Sequence, residues 1–541
     1  MSDGTDATQR TLLLGLDGAC LSVLEPMFDD RDLPTLEDVF SGGAVAPLES
    51  QVPPWTPSAW PSLFTGVNPG RHGVFDFLRF EGYDWELVDR TDVDEWALWE
   101  LLSRRGVTSV VVNVPVTAPP REFDGALVPG YIAPESPQCH PPGLLDDLRE
   151  ELGEYRVYAP DPTSDRERRH WYQRLARMRG EAFRYLVERF DPEFGFLQFQ
   201  QTDTVFHEQP ETDAVRDVYT TVDRELERVL DAFDPDTVVV ASDHGIGEYG
   251  GWEFRVNDYL RRQGYVTSIR GGEGMPSWSA LRRTHTRGDD APSLAERAVA
   301  RMARYGVTSQ SIKRVLDRFG LTSAVLSVVP TDVVRAATER VDFPASTAFM
   351  RSRTELGVRL NLEGREPDGT VSTAAYEAVR DEIIAALESA RTPDGEPVFE
   401  TVAPREQFFE GPHVEDAVDI VTVPSGFDHY LQSSLRNEVF GPPSERWNHK
   451  RDGVIALAGD GVDTAADLED AHLFDVAPTV LSALGVPPNE RMDGRVLPAV
   501  EAVPPAQYPP FSSPDRSGAE AGEQVEQRLA NLGYIDTDND D

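Results

Sequence analysis

Carboxylates and imidazoles recur at the ends of short apolar runs in this 541-residue chain, and one threonine hydroxyl stands among them. Thr11 to Leu16 runs into Asp17-Gly18. Phe194 to Gln200 runs into Asp203 and His207, and Thr237 to Ala241 runs into Ser242-Asp243-His244-Gly245. His449 lies in Trp447-Asn448-His449-Lys450-Arg451-Asp452-Gly453, just before the run VIALAG. Residues four apart share a helix face, so Asp203 and His207 can turn toward one cation. Adjacent Asp243 and His244 on a glycine turn bring two unlike ligands together. Mixed carboxylate and imidazole donors suit Zn²⁺ or Mn²⁺, whereas all-oxygen sets favour Mg²⁺ or Ca²⁺. Three Asp and three His are enough for two ions. Each motif alone is weak, because a strand-ending Asp or a lone His is most often structural.

The hydroxyl is that of Thr56, in the stretch Val52 to Phe77, VPPWTPSAWPSLFTGVNPGRHGVFDF. Pro57 suits a first helical turn, where its missing N–H is not needed, and this makes Thr56 the expected N-cap. A helix start also offers free N–H groups and the positive dipole end, a setting suited to phosphate. A threonine hydroxyl is a poor nucleophile near neutral pH unless a cation stabilises its alkoxide. The potential ligands at distant strand ends supply what Thr56 alone lacks. Ser58 and Ser62 are rival hydroxyls in the same stretch.

Elements must bring these residues to one place. The apolar runs at 11–16, 107–112, 194–200 and 237–241 read as buried parallel strands, because they are continuous rather than alternating. Helical patterns separate them at 94–105, 141–190 and 215–233, which predicts an α/β fold with a central, mostly parallel sheet. Such sheets place ligands at the carboxyl ends of their strands. The alternation breaks between 266 and 345, where helices at 293–304 and 309–319 and an apolar run near 323–336 predict an inserted helical cap. A strand at 358–362, a helix at 374–389 and a strand at 418–423 follow. The expected organisation is a catalytic α/β core over 10–265, the insert over 266–345, the second part of the core over 346–500, and a tail over 501–541 with a short helix at 520–532. His170 reads as a helix-surface residue, and His285 has no partner at ligand spacing.

Composition bounds the setting. The chain carries 51 Lys+Arg against 94 Asp+Glu, a formal charge of −43, and Lys313 and Lys450 are its only lysines. An acidic, lysine-poor surface suits concentrated salt, where the Debye length falls to about 3 Å and self-repulsion is screened. The 40% hydrophobic residues and nine tryptophans argue against a disordered acidic chain. Binding to a nucleic-acid duplex through a basic patch is also disfavoured. Two cysteines, Cys20 and Cys139, are too few for a disulfide framework. No apolar run reaches the ~18 residues of a membrane span, and the polar start MSDGTDATQR carries no targeting signal. A cytoplasmic location is the expectation.

Five motifs in order resemble the alkaline phosphatase superfamily: GLDG at 15–18, T-P-x-x-W-x-S-L-x-T-G at 56–66, NPGRHG at 68–73, SDHG at 242–245, and the late NHKRDGVIALAG. The branch they look like is the type I phosphodiesterases, or nucleotide pyrophosphatases, and the tail ending in LGY is similar to archaeal members. The resemblance covers roughly 10–265 and 346–500. It implies a three-layer sandwich, a nucleophile at Thr56, and two divalent metals, Zn²⁺ first and Mn²⁺ second. It further implies that Asp17, Thr56, Asp243 and His244 hold one ion, and Asp203, His207 and His449 the other. The implied activity is hydrolysis of phosphodiester or pyrophosphate bonds in a small-molecule ester, through a phosphothreonine. A phosphomonoesterase, a metal-dependent phosphomutase and a non-catalytic binding member remain alternatives. A sulfatase is disfavoured, because Thr56-Pro57 does not offer the Cys or Ser such enzymes convert. The branch places an asparagine past His-Gly to hold phosphoryl oxygens, and Asp76-Phe77 stands there instead. Asn113 is a candidate substitute.

Overall fold

The computed structural model describes residues 9–160, 162–270 and 339–512, together with 525, 526 and 529. The two insert helices, the 323–336 run, His285 and most of the tail helix lie outside the described residues. The ends of the insert pair with each other, Ser268–Arg270 running antiparallel to Glu339–Val341.

The apolar runs build one seven-stranded sheet. Its strands are β1 (Thr11–Leu16), β2 (Ala44–Glu49), β3 (Ser109–Val112), β4 (Gly125–Val128), β5 (Phe194–Phe199), β6 (Thr237–Ala241) and, joining from the far end of the chain, Asp452–Gly459. The last pairs antiparallel with both β2 and β6, while β6, β1, β5, β3 and β4 lie side by side in parallel. Helices cover both faces, which gives the expected three-layer α/β sandwich. On one face sit α1 (Thr56–Thr65) and a late helix, Val476–Ala483. On the other sit α2 (Asp165–Phe190), α3 (Gln201–Glu208) and α4 (Thr212–Phe233). In α4, Val215, Val218, Val222, Leu226, Val229 and Phe233 recur at helical spacing and are all buried. Each such side chain removed from water contributes about 1.5–3 kcal/mol before the entropy of ordering is counted.

The period of two along β1 sends Leu12, Leu14 and Leu16 into one core and Leu13 into the other. Gly15 shares the parity of Leu13. A Cβ there would lie 2.6 Å from Cη2 of Trp60, so the absence of a side chain admits the indole. The register aligns the strand ends: Leu16 opposes Phe199 and Gly15 opposes Ala241. Asp17, Gln200 and Ser242 therefore begin their loops at one level, on one edge of the sheet.

The stretch expected as the second part of the core does two jobs. Residues 348–424 build a separate four-stranded antiparallel sheet around their own apolar cluster, and only Asp452–Gly459 returns to the central sheet. Val52, Trp55 and Phe75 from the Thr56 stretch are buried in this second cluster. A further pair joins the two parts, Gly245–Glu248 lying antiparallel to Trp447–Lys450 with His449 opposite Ile246. No described helix is long and apolar enough to cross a membrane.

Candidate active site

The fold gathers all seven strand-end groups, and all of their side chains are buried. Asp17 follows β1 directly. Gly18 after it has φ +66, and a Cβ there would meet Asp203 Oδ1 at 3.1 Å, so glycine serves both the turn and the close approach of α3. Asp203 and His207 lie one turn apart on α3, with His207 Nε2 3.2 Å from Asp203 Oδ1. Asp243 and His244 follow β6. His449 arrives on its short strand, with its ring stacked on that of His244 at a centroid distance of 3.6 Å and an angle of 17°.

Thr56 sits at the helix start as anticipated, but not as the cap. The cap is Trp55, in extended backbone at φ −112 and ψ 140, and its carbonyl accepts from the N–H groups of Ser58 and Ala59 at 3.0 and 2.9 Å. Pro57 stands at the second helical position rather than the first, which shifts the cap by one residue. The Thr56 hydroxyl is thereby released from capping and faces His244 Nε2 at 3.5 Å. The rival hydroxyls are engaged elsewhere. Ser62 Oγ donates to Gln51 Oε1 and lies 2.8 Å from His72 Nε2. Ser58 accepts from Gln51 Nε2 at 2.5 Å and donates to the Val74 carbonyl at 2.8 Å. His72 Nδ1 accepts from Val74 N–H at 3.2 Å. Burial, then nearby His413, lowers the His72 pKa to about 3. The network is neutral, closed and structural.

Four of the ligand candidates, Asp17, His207, His244 and His449, are held by hydrogen-bond or ion-pair partners. Asp17 Oδ2 accepts from Trp60 Nε1 at 2.9 Å and Gln198 Nε2 at 2.8 Å. Gln198 is held in turn by Asn113, whose Nδ2 donates to its Oε1 at 2.6 Å and its backbone carbonyl at 3.2 Å. Asn113 thus reaches the site through Gln198, and its amide N–H groups serve that support. His449 Nδ1 lies 2.9 Å from the Pro54 carbonyl, and His244 Nδ1 2.9 Å from the Gly245 carbonyl. Both contacts fix the tautomer that leaves Nε2 with its lone pair toward the centre. His207 Nδ1 faces Glu445 Oε2 at 3.5 Å. Position along the strand and helix could have flagged Trp60 and Gln198. Glu445 follows a proline-rich loop and carries no such signal.

The electrostatics fit a cation. Asp17 Oδ1, Asp203 Oδ1 and Asp243 Oδ2 are buried and have no hydrogen-bond partner. They face imidazole nitrogens: Asp17 Oδ1 and Asp243 Oδ2 lie 3.5 and 3.3 Å from His244 Nε2, and Asp203 Oδ1 lies 3.7 Å from His449 Nε2. Ligand atoms of Asp17, Asp243 and His244 fall within 4.8 Å of one another, as do those of Asp203, His244 and His449. Burial, then Asp243 and Asp203, raises the Asp17 pKa well above the carboxylate range. Burial lifts Asp243 to about 6, with the neighbouring Asp203 adding to the rise and His244 opposing it. Burial, then His244 and His207, keeps the His449 imidazole neutral. Crowded carboxylates with orphaned oxygens beside imidazole nitrogens form a donor set that divalent cations of the zinc type would satisfy.

Comparison with known proteins speaks for the family and the fold. A search of curated proteins returned no match. Among solved structures, phosphonoacetate hydrolase from Sinorhizobium meliloti 1021 superposes with a TM-score of 0.51 at 16% identity, over 88% of this chain and 96% of its own. Murine ectonucleotide pyrophosphatase/phosphodiesterase 5 gives 0.45 at 13% identity, over 92% and 98%, and the alkaline phosphatase PafA gives 0.46 at 15%, over 89% and 97%. At these identities the first similarity speaks for the fold. The sequence model described as "Type I phosphodiesterase / nucleotide pyrophosphatase" matches residues 11–452, from the first strand of the central sheet to the start of its last. With that match over most of its length, the chain belongs to the type I phosphodiesterase / nucleotide pyrophosphatase family of phosphoric ester hydrolases.

Proposed function

We propose that the chain hydrolyses phosphodiester or pyrophosphate bonds of small-molecule esters by way of a phosphothreonine at Thr56. The observation that carries this reading is the placement of the Thr56 hydroxyl beside His244, among three unsatisfied carboxylate oxygens. Asp17, Thr56, Asp243 and His244 would hold one divalent ion and Asp203, His207 and His449 a second, zinc being favoured by the mixed donors and manganese next. Such ions, when bound, supply Lewis acidity that stabilises an alkoxide and the charge on phosphoryl oxygens.

The chain's own residues account for the rest. Trp60 and Gln198 hold Asp17 so that Oδ1 points inward, while the Pro54 and Gly245 carbonyls hold two imidazoles in the ligating tautomer. Thr56 Oγ1, its proton released to water, forms a bond to phosphorus as the opposite ester bond breaks, and the leaving oxygen keeps the electron pair. Water then attacks in line, its oxygen bonding to phosphorus as the phosphorus–Oγ1 bond breaks, and one proton of that water goes to Oγ1 to restore the hydroxyl. Burial of the whole constellation excludes bulk water and strengthens each electrostatic contact. The test is hydrolysis of bis(4-nitrophenyl) phosphate and 4-nitrophenyl phosphate by one preparation, before and after chelation and readdition of Zn²⁺ or Mn²⁺. Chelator-sensitive release of nitrophenolate, with the diester favoured, is expected. No release from either ester under any metal condition contradicts the reading.

A further inference from the structure

A pocket opens beside the site on the His449 side, walled by Trp55, Tyr249, Arg353, Thr354, Tyr430 and Asn448 among others. Two of these residues flank proposed reacting or ligating groups in sequence, Trp55 before Thr56 and Asn448 before His449. The Trp55 and His449 rings are 4.3 Å apart, and Tyr249 donates its hydroxyl to the His449 carbonyl at 2.7 Å. Pocket and site share a wall.

Arg353 is the permanent cation in that wall, and its side chain is 10% exposed. A guanidinium has five N–H donors. Among the described residues, Arg353 uses Nη2 alone, toward Glu445 Oε1 at 3.3 Å, and its plane lies 5.0 Å over the Tyr430 ring. Its nitrogens are not among the buried atoms left without a partner, so the donors it does not use remain open to solvent. Compare Arg359, which donates to Glu366, Glu415 and Ala417. Glu445 itself is shared, since it also accepts from Tyr430 Oη at 3.1 Å and Asn448 Nδ2 at 2.9 Å. The backbone that presents Arg353 is pinned on both sides: Ser352 Oγ and Thr354 Oγ1 lie 2.8 Å apart, and Thr354 Oγ1 donates to buried Asp76. A rigidly held, under-bonded cation in an aromatic-walled pocket is built for an anion.

We infer that Arg353 is a specificity-determining residue that receives a second anionic group of the substrate, a carboxylate or further phosphate carried beyond the scissile phosphorus. This rests on the phosphoester-hydrolase reading and narrows it to esters with that added charge. The guanidinium fork suits two oxygens of one such group, and the flanking Trp55 and Tyr430 rings shield the contact from water.

The experiment compares kcat/KM for three substrates on the wild type and on Arg353→Gln. They are bis(4-nitrophenyl) phosphate, 4-nitrophenyl 4-carboxyphenyl phosphate, which adds a carboxylate, and a pyrophosphate diester, which adds a phosphate. The ratio of either charged substrate to the first is expected to fall tenfold or more in Arg353→Gln, and the one that falls identifies the anion. A fall of less than threefold in both ratios overturns the inference, and a fall of threefold or more in either supports it. Should Arg353→Gln fail to fold by circular dichroism, Arg353→Lys keeps the charge without the fork and is judged by the same threshold. If the wild type turns over none of the three, the hydrolase reading fails. Calorimetric affinity for the non-hydrolysable phosphonate analogues of the first two esters then decides the Arg353 role by the same threefold criterion.

Discussion

Trp60 Nε1 donates to Asp17 Oδ2 at 2.9 Å, across a gap that exists because residue 15 has no side chain. That contact joins the helix bearing Thr56 to the first strand of the sheet. It ties the element that carries the proposed nucleophile to a proposed ligand, without using the Thr56 hydroxyl or Asp17 Oδ1.

Trp60→Phe keeps most of the ring and removes the N–H. Outer partners of metal ligands typically carry 10–100-fold in affinity or activity, so metal affinity measured by titration of chelated protein is expected to fall by about that factor. Gly15→Ala acts on the same contact from the other side. Its Cβ would sit 2.6 Å from the indole, and overpacking of this kind costs about 1–3 kcal/mol. A lower midpoint of denaturant unfolding and weaker metal binding should appear together; normal values of both would dismiss the contact as incidental.

Ser62→Ala probes the rival hydroxyls. It leaves the Gln51 carbonyl and His72 Nε2 without their shared partner in a buried network, at a cost of about 1–3 kcal/mol. Stability should drop while kcat stays within a few-fold of the wild type. A loss of turnover of several orders of magnitude at unchanged stability would instead make Ser62 the nucleophile.

Asp76 gives a pH dependence with a defined sign. It is fully buried, accepts from Phe77 N–H at 2.5 Å and from Thr354, and leaves Oδ2 without a partner. Burial, then Glu355, raises its pKa from 3.8 to about 7. The folded state therefore binds the proton more tightly than the unfolded chain. The stability this contributes is full below the unfolded pKa near 3.8 and is lost as pH rises through about 7. Asp76→Asn, which places the family's amide in the same loop, should stabilise the protein at pH 8 by on the order of 1–4 kcal/mol. The gain should be smaller at pH 5, where only part of the proton-linked stability has been lost. Equal effects at the two pH values would contradict the assignment.

Glu445→Gln tests the support of His207. Burial alone would lower the His207 pKa, but the Asp203 and Glu445 carboxylates outweigh it and raise the value to about 10. Removing one of those charges should weaken metal binding by about tenfold or more. It should also lower the pH at which the metal-free protein releases the His207 proton, followed by NMR. An unchanged proton-release pH would remove Glu445 from the account.

The gathering of the candidate ligands was legible because they followed continuous apolar runs, and the register of β1 against β5 and β6 made their ends level. The α/β sandwich followed from the same runs, since strands buried on both faces cannot alternate. What escaped was long-range. The strand Trp447–Lys450 is short and polar, and it is a strand only because Gly245–Glu248 lies beside it, some 200 residues earlier in the chain. Gln198 reads as one polar residue in a buried strand until Asp17 and Asn113 are placed around it. The cap at Trp55 instead of Thr56 escaped because proline fits the second helical position as well as the first, and local sequence does not separate the two. Of the antiparallel sheet over 348–424, the strands expected at 358–362 and 418–423 are present, whereas its pairing as a separate sheet escaped because the other two strands are short or broken by polar residues.

The central claim is that Thr56 Oγ carries the phosphoryl group. Its most direct test is turnover of bis(4-nitrophenyl) phosphate by Thr56→Ala, with metal content measured by elemental analysis on the same sample. The account predicts a loss of about a thousandfold or more in kcat with metal content preserved near the wild-type level. Turnover close to that of the wild type, with the metals still bound, would contradict it.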